Sequence, residues 1–278
     1  MKIPFTKAHG ARNDFLLTWR HQLPAELADY PAAAIAICER NTGVGADGWL
    51  LMSAPNPADG SADGCIELWN SDGSRSEISG NGTRCAAALL VEEQRVLDRN
   101  RAGADVRIAT GAGLKHLRLL RRDGNKFLFE MNMGRAHVEE LQTEIEGRDA
   151  TILNVGNPQC AFFVRDFDFD WAALGARVSR MPRFPNGTNV SFFRTPDRHT
   201  LEARFVERGA GVTMSSGTGS TGAGAAALAR GLVESPVCVE TPAGPLDLRW
   251  EGSDILLAGP AEIVARGEFY WTELVGRN

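Results

Sequence analysis

The sequence has no long apolar run, no dense cluster of basic residues and no paired-cysteine motif. Of its 278 residues, 43% are hydrophobic and 23% are charged. This composition is typical of a globular protein and excludes a long disordered, coiled-coil or collagen chain. No stretch reaches the roughly 18 apolar residues of a membrane helix, and Pro4, Lys7 and His9 interrupt the start before a signal-peptide core can form. We expect neither membrane association nor export.

The net charge is small and negative, at −5, and the basic residues are scattered. We therefore expect no nucleic-acid partner and favour a small-molecule ligand. The chain has five cysteines, an odd number: Cys38, Cys65, Cys85, Cys160 and Cys238. A chain of this length needs no disulfide to complete its core, so we expect reduced thiols and a cytoplasmic location.

Common catalytic motifs are also absent. The sequence contains no GxxxxGK[ST], HExxH or GxSxG segment, and its five histidines form no cluster, so we expect no metal site and no bound cofactor. Gly217–Gly222 does fit GxGxxG, which leaves a dinucleotide site as a competing interpretation. Two points argue against a dinucleotide site. We expect no βαβ unit to follow this segment, and the similar segment earlier in the chain has Arg84 and Cys85 where a third glycine would stand.

What the sequence does contain is a repeat. Ser79–Thr83 and Ser216–Ser220 have the pattern Ser-Gly-x-Gly-Thr/Ser, and each precedes an alanine-rich segment. Nine residues before each serine stands a polar residue after an apolar one, Asn70 in the first case and Glu207 in the second. Two further pairs match in the same order: Gly45–Gly48 with Gly187–Val190, and Asn13–Asp14 with Asn157–Gln159. Chance likeness of short turns is the alternative, but pairs in a common order favour a duplication.

Each half reads as short strands followed by a helix, which indicates α+β domains with a helix packed on a mixed sheet. The predicted strands include Phe15–Thr18, Trp49–Ser53, Cys65–Trp69, Val106–Ala109, Leu117–Leu120 and Lys126–Met131. The predicted helices include Ala25–Cys38, Arg84–Leu97, Ala172–Val178 and Ala223–Val233. Arg121–Asn125 is predicted to be a turn or a crossover between the halves.

The Ser-Gly-x-Gly segments lead directly into helices. Such a loop exposes backbone N–H groups, and the helix dipole adds partial positive charge, so an anion is favoured there. Two such loops facing each other across a domain interface would hold a carboxylate. They would also stabilise the negative charge that develops when its α-carbon loses a proton.

Seven segments, in order along the chain, resemble the diaminopimelate epimerase family. They are His9–Phe15, Asn41–Gly48, Asn70–Ser74, Gly80–Cys85, Val155–Pro158, Phe184–Val190 and Glu207–Gly219. The resemblance implies two pseudo-symmetric α+β domains, each a mixed sheet wrapped around a central helix, with the active site in the cleft between them. We expect the domains to be residues 1–124, with a C-terminal return at 266–278, and residues 125–265.

Members of this family invert an amino-acid α-carbon without pyridoxal phosphate or metal, using one cysteine from each domain as base and acid. Both of those positions are serine here, Ser79 and Ser216. A thiol has a pKa of about 8.5 and a hydroxyl one near 15.7, so an uncompensated exchange costs on the order of 10 kcal/mol. Glu207 resembles the family's supporting carboxylate, and we expect it to activate Ser216 or to act as the base itself.

Other positions also depart from the family. Gln159 stands in place of a histidine that supports one thiol, Val212 in place of a glutamate, and Arg12 where glycine is usual. An engineered exchange of both cysteines would not explain these three changes, so natural divergence is favoured. Cys85, Cys160 and His9 border the expected site, and we interpret them as structural.

The substrate-holding positions retain the family's identities. The resemblance implies that six polar residues hold an amino acid with a second polar head: Asn13, Asn70, Asn157, Asn189, Glu207 and Arg208. Gly80, Asn81, Gly217, Thr218 and Gln159 complete the expected binding set. Arg208 is the natural carboxylate clamp.

Three functions therefore remain open. The first is a cofactor-independent isomerase that acts at the α-carbon of diaminopimelate or a similar amino acid, for which we expect a homodimer. The second is elimination or dehydration of a β-substituted amino acid on the same fold. The third is an inactive amino-acid-binding homologue.

Overall fold

The computed structural model describes residues 1–55, 62–93 and 103–271. The α-helices are α1 (Tyr30–Cys38), α2 (Gly80–Glu92), α3 (Trp171–Val178) and α4 (Gly217–Ala229). The first eight strands are β1 (Lys2–Gly10), β2 (Asn13–Trp19), β3 (Gly48–Ser53), β4 (Gly64–Asn70), β5 (Arg75–Ser76), β6 (Asp105–Thr110), β7 (Gly113–Asp123) and β8 (Lys126–Gly134). The others are β9 (His137–Ile145), β10 (Arg148–Asn154), β11 (Pro158–Phe163), β12 (Asn189–Asp197), β13 (Thr200–Glu207), β14 (Gly211–Thr213), β15 (Val237–Thr241), β16 (Gly244–Glu251) and β17 (Asp254–Tyr270).

The chain forms two compact units. Unit 1 comprises Met1–Phe129 together with the segment that begins at Pro260, and unit 2 comprises Glu130–Gly259. The chain passes from one unit to the other within β8 and again within β17.

The two units share one strand topology. In unit 1, β1–β2 is antiparallel, β2–β3 parallel, β3–β4 and β4–β5 antiparallel, β4–β6 parallel and β6–β7 antiparallel. In unit 2 the same series of pairings runs through β10–β11, β11–β12, β12–β13, β13–β14, β13–β15 and β15–β16. The helices also stand at equivalent places in the two series. The predicted duplication and the predicted pseudo-symmetric α+β fold are confirmed.

The second helix of each unit, α2 or α4, is its buried centre. Every residue from Gly80 to Val91 is buried, as are most residues of α4. Their sequences are rich in alanine and glycine because the strands approach closely on several sides. A Cβ at Gly219 would lie 2.6 Å from Phe205 Cδ1, too close for any larger residue without a shift.

The first helix of each unit packs on the other side of the strands. In unit 1, α1 buries Ala33, Ala34 and Ile37 against Trp49 and Leu51. In unit 2, α3 buries Leu174 and Val178 in a cluster with stacked Phe162 and Phe192. Each unit thus has a sheet covered by one helix outside and wrapped around another inside.

The predicted helices exist, but two of them begin earlier than predicted. α2 begins at Gly80 instead of Arg84, and α4 begins at Gly217 instead of Ala223 and ends at Ala229. Low helix propensity of glycine argued against these starts, but capping by the preceding serine and burial of the whole helix override it. The predicted end of α2, at residues 94–97, lies outside the described residues.

The first predicted helix was too long at its start. α1 begins at Tyr30 rather than at Ala25, because Asp29 caps it by accepting a hydrogen bond from Ala32 N at 3.0 Å. The predicted α3 and the six predicted strands are confirmed within one to four residues at each end. Of the segment Arg121–Asn125, predicted to be a turn or crossover, Arg121–Asp123 belong to β7, while Gly124 and Asn125 form the turn to β8, with Gly124 at φ +58°. Among the described residues, no helix combines the length and the apolar character that crossing a bilayer requires.

Candidate active site

Ser79 and Ser216 occupy identical positions as N-caps of α2 and α4. Their backbone angles are φ −128°, ψ 122° and φ −136°, ψ 123°. Ser79 Oγ accepts a hydrogen bond from Gly82 N at 3.1 Å, and Ser216 Oγ accepts one from Gly219 N at 2.9 Å. Each serine therefore satisfies one of the open N–H groups that begin a helix, and it lies where the helix dipole is positive.

Glu207 lies beside Ser216 in unit 2. Ser216 Oγ donates to Glu207 Oε2 at 3.0 Å, and Thr213 Oγ1 donates to Glu207 Oε1 at 2.8 Å. Ser216 is 2% exposed. The contact between Glu207 and Ser216 arises because β13 ends at Glu207, turns back through β14 and enters α4 at once. A partly exposed carboxylate is therefore held against a buried serine hydroxyl, where its charge is screened less than in bulk water.

Unit 1 has no such carboxylate at the equivalent position. Asn70 stands where Glu207 stands in the repeat, and its Nδ2 donates to Ser74 Oγ at 3.0 Å. Within residues 1–55, 62–93 and 103–271, no Asp or Glu accepts a hydrogen bond from Ser79. The two serines share a backbone geometry but differ in electrostatic surroundings. Within the part of the chain that the structure describes, Ser216 has a carboxylate as hydrogen-bond acceptor and Ser79 does not.

Asn13 and Asn81 are joined in unit 1. Asn81 Nδ2 donates to Asn13 Oδ1 at 3.1 Å, and Asn13 Nδ2 donates to Asp47 Oδ2 at 2.7 Å. Asp47 also binds Arg40 at 2.7 Å. The neighbouring Asp14 is partly buried, which opposes its ionisation, but hydrogen bonds from Arg40 and Lys7 hold its pKa below the ordinary value. The amides thus sit beside a fixed pair of carboxylates.

The expected binding residues of unit 2 form two contacts. Gln159 Nε2 donates to Asn157 Oδ1 at 2.6 Å, and Gln159 is fully buried with its Cγ close to Gly222 of α4. Asn189 Oδ1 accepts a hydrogen bond from Arg208 N at 2.9 Å, which attaches the end of β13 to the start of β12.

The Arg208 side chain is exposed. Its Nη1 donates to Asn186 O at 2.9 Å. Among the described residues, no carboxylate lies within ion-pair distance of its guanidinium. The side chain is therefore positioned by backbone contacts while its charge remains available for a ligand.

The two cysteines that border the site are buried. Burial raises the pKa of both Cys85 and Cys160 to about 12. Both thiols are protonated at neutral pH and are fully buried. Their burial agrees with the interpretation of these cysteines as structural.

Arg12 lies in the tight turn between β1 and β2, at φ +59°. This left-handed conformation favours glycine, which agrees with the glycine usual in the family at that position. His9 Nε2 lies 3.8 Å from Glu262 Oε2. Both residues are near Asn13 in sequence but make no contact with the serines among the described interactions.

Sequence reasoning missed three contributors. Thr213 donates a hydrogen bond to the Glu207 carboxylate, and Asp47 accepts one from Asn13. Arg84 Nη2 donates one to Asn81 Oδ1. The signal for Arg84 was available, since a charged residue inside an alanine-rich buried helix needs a specific partner. The other two contacts needed the strand pairing. Among the described residues, no group of three or more His, Cys, Asp or Glu side chains is arranged to hold a metal ion.

Comparisons with known proteins agree with this architecture. Residues 5–139 and 151–264 match the family model of diaminopimelate epimerase. The diaminopimelate epimerase of Pelotomaculum thermopropionicum is 36% identical over 284 aligned residues, covering 95% of this chain and 98% of the relative.

Two solved structures share the fold at low identity. A probable proline racemase from Agrobacterium radiobacter matches with a TM-score of 0.73 and 15% identity, over 98% of this chain and 93% of that chain. A phenazine biosynthesis protein of the PhzF family from Bacillus anthracis matches with a TM-score of 0.72 and 14% identity, over 96% and 99%. From the family match and the identity over nearly its whole length, this chain belongs to the diaminopimelate epimerase family.

Proposed function

We propose that this protein is a cofactor-independent isomerase that inverts the α-carbon of an amino acid, diaminopimelate or a similar amino acid with a second polar head. The observation that carries the proposal is the Ser216–Glu207 hydrogen bond of 3.0 Å at the N-terminus of a buried helix. It provides a base and a positive helix end in one place, which are the two needs of α-proton removal.

In this mechanism the proton leaves the α-carbon and ends on Glu207. It passes directly to Glu207, or it passes to Ser216 Oγ while the serine hydroxyl proton moves to Glu207 Oε2. In both cases one proton is gained by the carboxylate and the electron pair stays on the substrate. The negative charge is spread into the substrate carboxylate, which the open N–H groups of Gly217 and Thr218 can stabilise.

Substrate recognition in the proposal depends on the retained polar set. Arg208 supplies an exposed cation with no acidic partner among the described residues, and it is suited to a carboxylate. Asn189 fixes the backbone of Arg208 through a 2.9 Å hydrogen bond. Asn157, held by Gln159, supplies an amide, and Asn70 supplies another in unit 1. These groups fit a ligand with several charged ends.

The role of Ser79 is different. The family resemblance implies that the two serines act on opposite faces of one α-carbon. Ser79 is a hydroxyl at a helix N-terminus and has no hydrogen bond to a carboxylate of the described residues, so it can donate a proton to a carbanion far more readily than it can remove one from carbon. We infer that proton removal is efficient on the Ser216 side only.

This asymmetry also favours a second candidate, elimination from a β-substituted amino acid. Elimination needs one base and a proton donor for the leaving group, which matches a Glu207–Ser216 pair on one side and a lone Ser79 on the other. The product would be an olefin or a keto acid rather than an inverted amino acid. Product identity separates the two reactions.

The expected setting of the protein belongs to the same proposal. Cys38, Cys85, Cys160 and Cys238 are free thiols, which agrees with a reducing cytoplasm. A homodimer and the absence of a nucleic-acid partner remain expectations from the sequence.

The test is incubation in D₂O with single amino acids, followed by NMR of the α-proton and chromatography on a chiral column. Diaminopimelate, lysine, glutamate, histidine and ornithine form the panel. α-Deuteration with inversion of at least one of them supports the isomerase, whereas olefin or keto-acid formation from a β-substituted analogue supports elimination. Ligand-induced thermal stabilisation with no exchange at high protein concentration would contradict both reactions and leave an inactive binding protein.

A further inference from the structure

Arg84 is a charged residue in the interior of unit 1. It is 0% exposed, and burial lowers its pKa to about 10, so it is still charged at neutral pH. Among the described residues no carboxylate lies within ion-pair distance of it. A buried charge without a counter-ion is costly, and natural proteins retain one mainly where it has a task.

The guanidinium has two hydrogen-bonding partners, both neutral. Nε donates to Pro260 O at 3.1 Å, and Nη2 donates to Asn81 Oδ1. Nη1 is buried and has no partner among the described residues. The side chain leans back over the first turn of α2, as helical side chains do, and so reaches the residue two positions after the Ser79 cap.

From Arg84 a directed chain of hydrogen bonds crosses the site. Asn81 Nδ2 donates to Asn13 Oδ1 at 3.1 Å, and Asn13 Nδ2 donates to Asp47 Oδ2 at 2.7 Å. One end of the chain, Arg84, can only donate, and the other end, the Asp47 carboxylate, can only accept. Both asparagine amides between them are therefore held in one of their two orientations.

We propose that Arg84 is a positioning residue that fixes the amide orientation of Asn81 and Asn13 and so determines which polar atoms the unit 1 site presents to substrate. An asparagine amide is nearly symmetric in shape, and its two orientations differ only in where the donor and the acceptor point. If either amide turned over, its NH₂ group would face a cation or its oxygen would face a carboxylate. The inference rests on the proposed function, because it takes Asn13 and Asn81 as substrate-binding residues.

Three variants and one control test the role. Arg84→Met removes the donor, and Arg84→Lys keeps a charge and a donor with a different shape. Asn81→Asp still accepts from Arg84 but has no N–H to give to Asn13. The control is Arg107→Met, since Arg107 lies in the same unit, pairs with Asp63 at 3.6 Å and has no part in the chain.

The first readout needs no substrate. Solvent exchange of the Asn13 and Asn81 side-chain amide protons, followed by NMR on the full chain, should be faster by about tenfold or more in Arg84→Met, since a hydrogen bond to a charged group is lost. Arg84→Lys should recover part of the protection, and Arg107→Met should leave it unchanged. Unchanged exchange in Arg84→Met with a lowered Tm would overturn the proposal and leave a purely structural arginine.

The second readout is binding of meso-diaminopimelate by calorimetry. Asn81→Asp gains an ion pair with Arg84, so its Tm should not fall, yet its Kd should rise about tenfold or more because the Asn13 oxygen loses its donor. An unchanged Kd would overturn the proposal. If Arg84→Met does not fold, Arg84→Lys takes its place in the amide-exchange measurement, and unchanged exchange in that variant overturns the proposal. If diaminopimelate does not bind to the unmodified protein, the proposed substrate fails, while the amide exchange still decides the role of Arg84.

Discussion

At the scale of single residues, the proposed chemistry depends on one carboxylate. Glu207 lies in hydrogen-bond contact with a capping serine. A serine hydroxyl has an ordinary pKa near 15.7, so at neutral pH it is not ionised and cannot act as a base alone. An ordinary carboxylate, with a pKa of about 4.3, is ionised and can. The account therefore assigns the base to Glu207 and gives Ser216 the role of orienting or relaying.

Replacing Glu207 with glutamine removes the base but keeps the size of the side chain and one oxygen for Ser216. We expect α-proton exchange to fall by about 10²- to 10⁴-fold, the usual contribution of a general base. Exchange is measured by NMR in D₂O. The control is Glu202→Gln on the same strand, where Glu202 pairs with Arg194 at 2.9 Å. Similar exchange rates in the two variants would contradict the assignment.

The buried cysteines supply a second prediction at this scale. Since burial raises the pKa of Cys85 and Cys160 to about 12, their thiolate fraction near pH 7.5 is on the order of one in ten thousand. Iodoacetamide should leave both unmodified in the folded protein and should modify both after unfolding in guanidinium. Mass spectrometry of peptides gives the result. Rapid native modification of either cysteine, with loss of activity, would mean that a thiol takes part after all.

At the scale of elements, the two serines also support their helices. Ser79→Ala removes the acceptor for Gly82 N and should lower the free energy of unfolding by about 1 kcal/mol. Ser79→Asp keeps an acceptor and adds a negative charge at the helix N-terminus, so it should retain or exceed the original stability. Thermal unfolding compares the two variants. Equal melting temperatures would show that the cap contributes nothing.

Element boundaries show what the sequence can and cannot predict. The helices after Ser79 and Ser216 were recognised from their alanine-rich segments, but their starts were placed four and six residues late. Glycine propensity argued against helix at Gly80 and Gly217, and only the packing of strands around α2 and α4 makes small residues favourable there. Local sequence therefore predicts the element, while tertiary packing decides its limits.

The same distinction applies to the site. The contact between Glu207 and Ser216 was expected from the family resemblance, and in the structure a single strand–turn–helix segment carries both residues. The contact between Asn81 and Asn13 joins residues 68 positions apart. It depends on α2 packing against β1 and β2, which no local pattern reveals. Arg84 belongs to a segment that the sequence singles out. Only the structure shows that it is buried and that it has no acidic partner among the described residues.

At the scale of the whole molecule, the duplication explains the fold and its differences explain the chemistry. Both units repeat one series of strand pairings and one capped central helix. Unit 2 has Glu207 where unit 1 has Asn70. A symmetric pair of thiols would place an equivalent base in each unit, whereas one carboxylate favours removal and return of the α-proton in unit 2 over net inversion.

Restoring both thiols tests whether the serines alone limit the reaction. Ser79→Cys combined with Ser216→Cys should raise the rate of diaminopimelate inversion, because a thiol with a pKa of about 8.5 yields usable thiolate. Ser79→Cys alone is the control and should give much less inversion. If the double variant inverts diaminopimelate no faster than the unmodified protein, the two serines are not what limits the reaction. That result would implicate Gln159 and Val212 in a different reaction.

The most direct test of the central claim is the comparison of α-deuterium exchange with inversion, measured separately for each stereoisomer of diaminopimelate in D₂O. We predict that one configuration exchanges its α-proton faster than it inverts, because Glu207 can remove and return a proton on its own side. We also predict that Glu207→Gln slows this exchange by about 10²- to 10⁴-fold. Equal exchange and inversion from both configurations, unaffected by Glu207→Gln, would contradict a one-sided base.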